Sequence, residues 1–175
     1  MGGIGVVMAA LDISQLRFMI VEDNPFMQRV LKQLLRSYNV RLMREASDGA
    51  EAFKLLEAFP PDIILVDWEM MPLSGLDFIK LVRTSDESPD RFVPIIMVTA
   101  YSEAANIRAA RDAGVTEYLV KPVSAVNLFS RIKRIIEKPR PFVECPTFFG
   151  PDRRRREDKN FGGPERRVSE PQHPH

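Results

Sequence analysis

The chain has 175 residues, of which 45% are hydrophobic and 28% are charged, and its formal net charge at pH 7 is +1. This length allows one domain of ordinary size with additional residues, and the apolar content is sufficient for a packed core. The near-neutral charge argues against a general nucleic-acid-binding protein. The single cysteine, Cys145, excludes an internal disulfide and is consistent with a reducing cytoplasm.

No apolar stretch approaches the roughly 20 residues of a membrane-spanning helix, so we predict a cytoplasmic protein without membrane insertion. Residues 1–13 are expected to form a flexible leader. A secretory signal peptide is not expected, because these residues lack the positive charge with which such a peptide begins. Either Met1 or Met8 could be the start of the natural chain.

The first predicted strand covers residues 16–21, a short apolar run. Asn24 and Pro25 follow, and this pair predicts a helix start, because asparagine caps a helix and proline fits its first position. Apolar residues at helical spacing continue to Tyr38. The second strand, residues 40–46, carries more polar residues and is therefore predicted at an edge of the sheet.

The same alternation of apolar runs and helical patterns continues along the chain. A helix follows Asp48 and is stopped by Pro60 and Pro61. The third strand, residues 62–67, is apolar almost throughout, as is typical of a strand that is buried on both faces. The later strands are predicted at residues 92–98 and 115–120, and the later helices at residues 76–84, 102–113 and 124–137.

Five strands that alternate with five helices predict an α/β domain with a parallel sheet between two helical layers. Right-handed crossovers favour the flavodoxin-like (βα)5 fold with strand order 2-1-3-4-5. We assign residues 14–137 to this domain. Residues 138–175 contain seven prolines and few aliphatic residues. They are predicted to be a largely disordered, Arg/Pro/Gly-rich tail without a core of its own.

Polar side chains stand at the carboxyl ends of four predicted strands, where open α/β sheets bind their ligands. Glu22 and Asp23 follow the first strand, Asp67 ends the third, Thr99 follows the fourth and Lys121 follows the fifth. Three close carboxylates repel one another unless one is protonated or a cation intervenes. Carboxylate and carbonyl oxygens suit Mg²⁺.

Such a site could accept a phosphoryl group. Asp67 would be the nucleophile and form an aspartyl-phosphate, while Lys121 and the Thr99 hydroxyl would contact the phosphoryl oxygens. A single acid at a strand end is more often a turn residue or a helix cap. For five polar groups at one sheet edge we favour the binding site.

These motifs resemble those of response regulator receiver domains of the CheY-like type. The resemblance covers about residues 14–137. It rests on Val-Glu-Asp ending at Asp23, Val-Asp ending at Asp67, Val-Thr-Ala around Thr99, and Tyr-Leu-Val-Lys-Pro around Lys121. It implies a two-component phosphorelay, in which Asp67 accepts phosphate from a histidine kinase or a histidine phosphotransfer protein.

The resemblance also implies roles for single residues. Asp23, Asp67 and the backbone carbonyl of Glu69 would ligate Mg²⁺, and Glu22 would act largely through bound water. Tyr118 would be the aromatic switch that turns inward when Thr99 moves toward the phosphoryl group; its alternative is a half-buried strand residue.

The loop after Asp67 departs from the family pattern, because Pro72 comes one residue later than usual. The path of this loop determines whether the Glu69 carbonyl reaches the metal. The Glu69 side chain either tunes the lifetime of the phosphate or points into solvent.

The tail contains a repeat with a spacing of 13 residues, in which a Gly-Pro turn or its equivalent precedes an acid and two arginines. Arginine can grip phosphate or the Hoogsteen edge of guanine, and its plane can stack on a base. Two copies suggest a ligand with two equivalent halves, such as cyclic di-GMP. The candidate nucleotide-binding residues are Asp152, Arg153, Arg154, Arg155, Arg156, Glu165, Arg166 and Arg167.

The tail also resembles the Arg-rich C-terminal extension of Cle-type CheY-like cyclic di-GMP effectors. In that family the extension becomes ordered when cyclic di-GMP binds. DNA is a poorer partner, because residues 138–175 hold nine basic and six acidic residues, a net charge of only +3.

We therefore predict a single-domain response regulator that signals by protein–protein interaction, for example with a flagellar motor component or a kinase. It would not be an enzyme beyond self-phosphorylation and slow hydrolysis. One alternative is a phosphate-independent adaptor that responds to cyclic di-GMP. Another is an aspartyl-phosphate phosphatase of the haloacid dehalogenase type, which needs a second aspartate where Glu69 stands.

Overall fold

A computed structural model describes residues 11–153 of the chain. The first five strands are β1 (Arg17–Val21), β2 (Leu42–Ala46), β3 (Ile63–Asp67), β4 (Ile95–Thr99) and β5 (Glu117–Val120). All their pairings are parallel, and they form one sheet in the order β2-β1-β3-β4-β5. The predicted flavodoxin-like topology is therefore confirmed.

Five helices connect and follow these strands, as predicted. The Asn24 side chain accepts hydrogen bonds from the amides of Phe26 (2.9 Å) and Met27 (3.3 Å), and Pro25 is the first helical residue. Gly114 ends the fourth helix with a φ of 99°, a conformation that glycine adopts without strain. The helices are α1 (Pro25–Arg36), α2 (Gly49–Ala58), α3 (Gly75–Thr84), α4 (Ala104–Ala113) and α5 (Ala125–Glu137).

The core lies on both faces of the sheet. Every residue of β3 and β4 is buried, which fits their continuous apolar sequences. The register then sets the functional edge, because Asp67 pairs with Val98, and Thr99 pairs with Val120. The ends of β1, β3, β4 and β5 consequently meet along one side of the sheet. Between residues 11 and 153, no helix is long and apolar enough to cross a membrane.

A β-hairpin after α5 was not predicted. Strands β6 (Phe142–Cys145) and β7 (Phe148–Pro151) pair antiparallel. Phe142 and Phe149 are 2% and 5% exposed, and each ring centre lies 5.2 Å from that of Phe92. Residues 138–153 therefore hold a packed element where the sequence indicated a tail. The predictions for residues 1–10 and 154–175 lie outside the described residues.

Arg83 of α3 lies between the domain and this hairpin. Its Nε donates to the Gly114 carbonyl (3.0 Å), a terminal nitrogen donates to the Arg91 carbonyl (2.9 Å), and its guanidinium lies 5.1 Å from the Phe142 ring centre. Full burial lowers the pKa of Arg83 to about 9, so the group is still charged at pH 7. Because Arg91 precedes β4 and Gly114 precedes β5, this cluster lies at the edge of the sheet opposite Asp67. We call Arg83, Phe92, Phe142 and Phe149 the aromatic pole.

Candidate metal and phosphoryl site

Three carboxylates meet at the carboxyl edge of the sheet. One oxygen from each of Glu22, Asp23 and Asp67 lies within 4.8 Å of the others. Glu22 and Asp67 are buried, with 1% and 6% exposure, whereas Asp23 is exposed. The structure thus brings these predicted residues together, with Asp23 facing solvent. We call Glu22, Asp23, Asp67 and Lys121 the acidic edge.

The Lys121 ammonium lies between the two buried acids. Its Nζ is 3.0 Å from Asp67 Oδ1 and 3.2 Å from Glu22 Oε2. The Lys121 amide donates to the Thr99 carbonyl (2.8 Å), which fixes the start of the segment after β5. The Lys121–Pro122 peptide bond is cis. One ammonium group therefore contacts two carboxylates, and Asp23 adds a third acid to the cluster.

The electrostatics favour an additional cation. Burial raises the pKa of Glu22, and the nearby Asp67 raises it further. Burial also raises the pKa of Asp67, against the opposing effect of Lys121. For Lys121, burial acts to lower the pKa, but its hydrogen bonds and its attraction to Asp67 and Glu22 raise it overall.

The donor set fits Mg²⁺, which prefers oxygen ligands at about 2.0–2.1 Å, so that opposite ligands are about 4.2 Å apart. The three carboxylate oxygens could share such an ion after small shifts.

Gly75 shapes the loop that follows Asp67. Its amide donates to the Trp68 carbonyl (2.9 Å), and a Cβ at this position would lie 1.9 Å from the Asp67 carbonyl oxygen. Only glycine fits so close to the backbone. The late proline of this loop, Pro72, follows a cis peptide bond.

Thr99 and Tyr118 are connected through Tyr101, a residue that the sequence analysis did not select. Thr99 is 1% exposed, and its hydroxyl accepts a hydrogen bond from the Tyr101 amide (3.2 Å). The Tyr118 hydroxyl, on a half-buried side chain, donates to the Tyr101 carbonyl (2.7 Å). One backbone segment therefore joins the two predicted switch residues.

The Glu69 side chain also meets Tyr101. The Tyr101 hydroxyl donates to the Glu69 carboxylate, and its ring packs edge-on against Trp68 at 5.5 Å between ring centres. The hydrogen bond to Glu69 raises the pKa of Tyr101. The Glu69 side chain is exposed to solvent, which was one of its two predicted alternatives, and its carboxylate also contacts the loop after β4. The sequence signal was only an aromatic residue two positions after Thr99.

The tail candidates lie away from the acidic edge. A terminal nitrogen of Arg153 is 3.2 Å from Asp112 Oδ1, and its guanidinium stacks 4.0 Å from the Phe148 ring centre. The Asp152 carbonyl accepts hydrogen bonds from Arg140. The remaining candidates lie outside the described residues; they are Arg154, Arg155, Arg156, Glu165, Arg166 and Arg167.

Comparisons with known proteins agree with this geometry. The family described as response regulator receiver domain matches residues 18–133. Chemotaxis protein CheY-3 of Vibrio cholerae is 33% identical over 131 residues, covering 75% of this chain and 99% of that protein. Chemotaxis protein CheY of Pseudomonas aeruginosa is 34% identical over 123 residues, covering 70% and 98%.

The chain is also similar to a solved structure that contains a metal ion. It is the receiver domain of a Pseudomonas aeruginosa sensor histidine kinase, with a magnesium ion coordinated in its active-site cleft. Its TM-score is 0.61 and its identity 31%, over 68% of this chain and 95% of that chain.

Proposed function

This chain belongs to the response regulator receiver family, and from that premise we propose that it is a CheY-like switch phosphorylated on Asp67. Membership implies two-component signalling. The observation that carries the assignment of Asp67 is the 3.0 Å contact between its carboxylate and the Lys121 ammonium, beside Glu22 and Asp23. A nucleophilic carboxylate, a cationic partner and a cation-binding set therefore occupy one place.

The phosphoryl transfer uses these groups in separate roles. An Asp67 carboxylate oxygen attacks the phosphorus of a donor phosphohistidine, the new O–P bond forms, and the P–N bond breaks with its electrons left on the imidazole. Lys121 and the Thr99 hydroxyl contact the phosphoryl oxygens. Bound Mg²⁺ would supply positive charge against the phosphoryl group, held by Glu22, Asp23, Asp67 and the Glu69 carbonyl.

The signal leaves the site through Thr99. When the Thr99 hydroxyl moves toward a phosphoryl oxygen, its bond to the Tyr101 amide is lost, and Tyr101 also holds Tyr118. Phosphorylation would thereby shift a two-state equilibrium of β5 and its flanking helices. We propose a cytoplasmic output by protein binding, at a flagellar motor component or a kinase, with phosphate supplied by a histidine kinase or a histidine phosphotransfer protein.

The test uses Trp68, the single tryptophan of the chain, which directly follows Asp67. Beryllofluoride with Mg²⁺ should change its fluorescence, and acetyl phosphate with Mg²⁺ should label the protein. Asp67→Asn should abolish both responses, while Asp86→Asn, at an exposed loop position, should retain them. Labelling of the Asp67→Asn protein at the natural level would refute the assignment. A phosphate-independent adaptor would respond to neither reagent.

A second input through the tail is supported by the arginine repeat and by the packing of Arg153 on Phe148. We propose that the tail binds cyclic di-GMP. Calorimetry on the full chain should show binding that is lost when Arg166 and Arg167 are both replaced by alanine. Lys159→Ala lies outside the repeat and is the matched control. Equal binding by all three proteins would remove the repeat from the site.

The phosphatase alternative has less support. The second position after Asp67 is Glu69, whose carboxylate is bonded to Tyr101. Steady-state phosphate release from a phosphomonoester substrate would support this alternative, and labelling without turnover would oppose it.

A further inference from the structure

The turn between β1 and α1 carries two of the three carboxylates of the acidic edge on adjacent residues. Glu22 directly follows β1, and its amide donates to the Ala46 carbonyl at the end of β2 (3.0 Å). The paired registers of β1 with its two neighbours end at Val21. The path of the backbone at Asp23 therefore depends on the turn and on α1.

The two acids of this turn are held in different ways. One oxygen of the Glu22 carboxylate accepts a hydrogen bond from the Asn24 amide (3.1 Å), and the other contacts the Lys121 ammonium (3.2 Å). The Asp23 side chain is exposed, and between residues 11 and 153 no hydrogen bond or ion pair holds its carboxylate. The direction of the Asp23 side chain is consequently set by its backbone.

Gln28, near the start of α1, reaches back to this backbone. Its side-chain nitrogen Nε2 lies 2.7 Å from the Glu22 carbonyl oxygen and 3.4 Å from the Ala46 carbonyl oxygen. Because both partners are acceptors only, the nitrogen of the Gln28 amide, and not its oxygen, must face them. The two hydrogens of this nitrogen serve one carbonyl each, so one half-buried side chain connects α1 to the ends of β1 and β2.

The shorter of these two hydrogen bonds acts on the peptide group between Glu22 and Asp23. Rotation of this group would turn the Asp23 side chain relative to the Glu22 side chain. A partly buried carbonyl that loses its donor is costly, and rotation toward water would relieve that cost. The Gln28 amide prevents this rotation while it remains bonded to the Glu22 carbonyl.

We propose that Gln28 is a positioning residue for cation binding at the acidic edge, an inference that rests on the proposed magnesium and phosphoryl site. Its amide holds the Asp23 carboxylate where that group can share an ion with Glu22 and Asp67. Mg²⁺ requires near-octahedral ligands at about 2.0–2.1 Å, so a small rotation of one ligand weakens its binding. Groups that orient metal ligands typically change metal affinity by about 10–100-fold.

A purely structural role of Gln28 has a different consequence. If the side chain only attached α1 to the sheet, its loss would lower the stability of the chain in EDTA. The affinity of the folded chain for Mg²⁺ would then stay the same. The Mg²⁺ affinity of the folded protein, measured without any phosphodonor, therefore separates positioning from support.

The test is a Mg²⁺ titration of the full chain, followed by the fluorescence of Trp68 and by the midpoint of urea unfolding, which rises when an ion binds the folded state. Gln28→Met keeps the volume of the side chain but removes the donor. Its dissociation constant for Mg²⁺ should rise about tenfold, the lower end of the range for groups behind metal ligands. Gln33→Met, at an exposed position of the same helix, should bind Mg²⁺ like the natural chain.

Gln28→Glu separates the donor from the charge. The shape is kept, but an acceptor now faces the two carbonyls, and a negative charge is added beside the acidic edge. Attraction alone would tighten Mg²⁺ binding, whereas loss of the donor should weaken it. Tighter binding than in the natural chain would overturn the positioning role. If Gln28→Met is unfolded in EDTA, Gln28→Asn takes its place, because its amide is too short to reach both carbonyls.

A double substitution tests whether Gln28 acts through Asp23. In an Asp23→Asn chain the positioned ligand is already altered, so adding Gln28→Met should weaken Mg²⁺ binding by less than about twofold. A further loss as large as that in the natural chain would overturn the connection to Asp23.

The outcomes separate this inference from the proposed function. If neither the fluorescence nor the urea midpoint of the natural chain responds to Mg²⁺, the proposed metal site fails, and this inference fails with it. If the natural chain responds but Gln28→Met binds Mg²⁺ as well as Gln33→Met does, only the role of Gln28 is refuted.

Discussion

Charge is buried at both ends of the central sheet, but with different partners. At the acidic edge, buried Glu22 and Asp67 face one ammonium, and exposed Asp23 opens the cluster to solvent. At the aromatic pole, Arg83 is fully buried and donates to neutral carbonyls.

The difference separates a site from a structural support. Glu22 and Asp67 have raised pKa values, and Asp23 opens the acidic edge to solvent, so an added cation would relieve the repulsion between the carboxylates. The guanidinium of Arg83 is covered and holds the segments before β4 and β5 together. Burial of a charge indicates function only where the charge is unbalanced and can be reached.

Lys121→Ala should have the largest effect of these substitutions, and this effect should be on phosphorylation at the acidic edge. It removes the cation that contacts the phosphoryl oxygens, and loss of one such preorganised group costs about 10²–10³ in rate. We expect labelling by acetyl phosphate with Mg²⁺ to slow by about that factor. Lys80→Ala, at an exposed position of α3, is the control. A rate within tenfold of the natural protein would contradict the role of Lys121.

Arg83→Met should show the opposite pattern. The apolar volume is kept, but the Gly114 and Arg91 carbonyls lose their donor, and each unsatisfied buried group costs about 1–3 kcal/mol. The free energy of unfolding should fall by about 2–4 kcal/mol in urea titrations, with little change in the labelling rate.

Arg36→Met, at the exposed end of α1, should leave the stability of the protein unchanged and serves as the control for Arg83→Met. If Arg83→Met stopped labelling at a temperature where the protein is folded, the two ends would not be separate.

Glu22→Gln should reveal the repulsion within the acidic edge through its pH dependence. Because burial raises the pKa of Glu22 in the folded protein, the folded state binds more protons than the unfolded state between the two pKa values. The Glu22 contribution to stability therefore decreases as the pH rises through that window. Without Mg²⁺, Glu22→Gln should gain stability relative to the natural protein on going from pH 4 to pH 7.

Urea titrations in EDTA at both pH values measure this difference, and Glu57→Gln on the exposed side of α2 is the control. Added Mg²⁺ should stabilise the natural protein more than Glu22→Gln. A pH-independent difference between the two proteins would show that repulsion at Glu22 is already balanced by Lys121.

The features of the molecule that could be predicted depend on short local sequence motifs. Asn24 and Pro25 predicted the start of α1, and the apolar run before Asp67 predicted β3 with the acid at its end. The order of the strands followed from general rules of chain connection, so the convergence of Glu22, Asp67 and Lys121 could be expected before any coordinates.

The missed parts depend on contacts that are distant in sequence. The hairpin has Pro146, Gly150 and Pro151 within or beside it, residues that are typical of loops. Phe142 and Phe149 are buried because Phe92, Arg83 and Arg91 lie against them. No local pattern could indicate that partner surface.

Tyr101→Phe should have the smallest effect. Tyr101 was missed because its contacts come from two other segments: its hydroxyl reaches Glu69, and its backbone reaches Thr99 and Tyr118. The substitution removes only the hydroxyl, on the exposed side of the site, so the stability should change by less than about 0.5 kcal/mol.

The lifetime of the phosphate on Asp67 is the informative measurement for Tyr101→Phe. Releasing the Glu69 carboxylate beside the phosphoryl group should change the rate of dephosphorylation a few-fold, while Tyr38→Phe, away from the site, should not. Because the backbone contacts of Tyr101 persist in the variant, the beryllofluoride response of Trp68 should also persist. Loss of that response would mean that the hydroxyl, rather than the backbone of Tyr101, carries the signal from Thr99 to Tyr118.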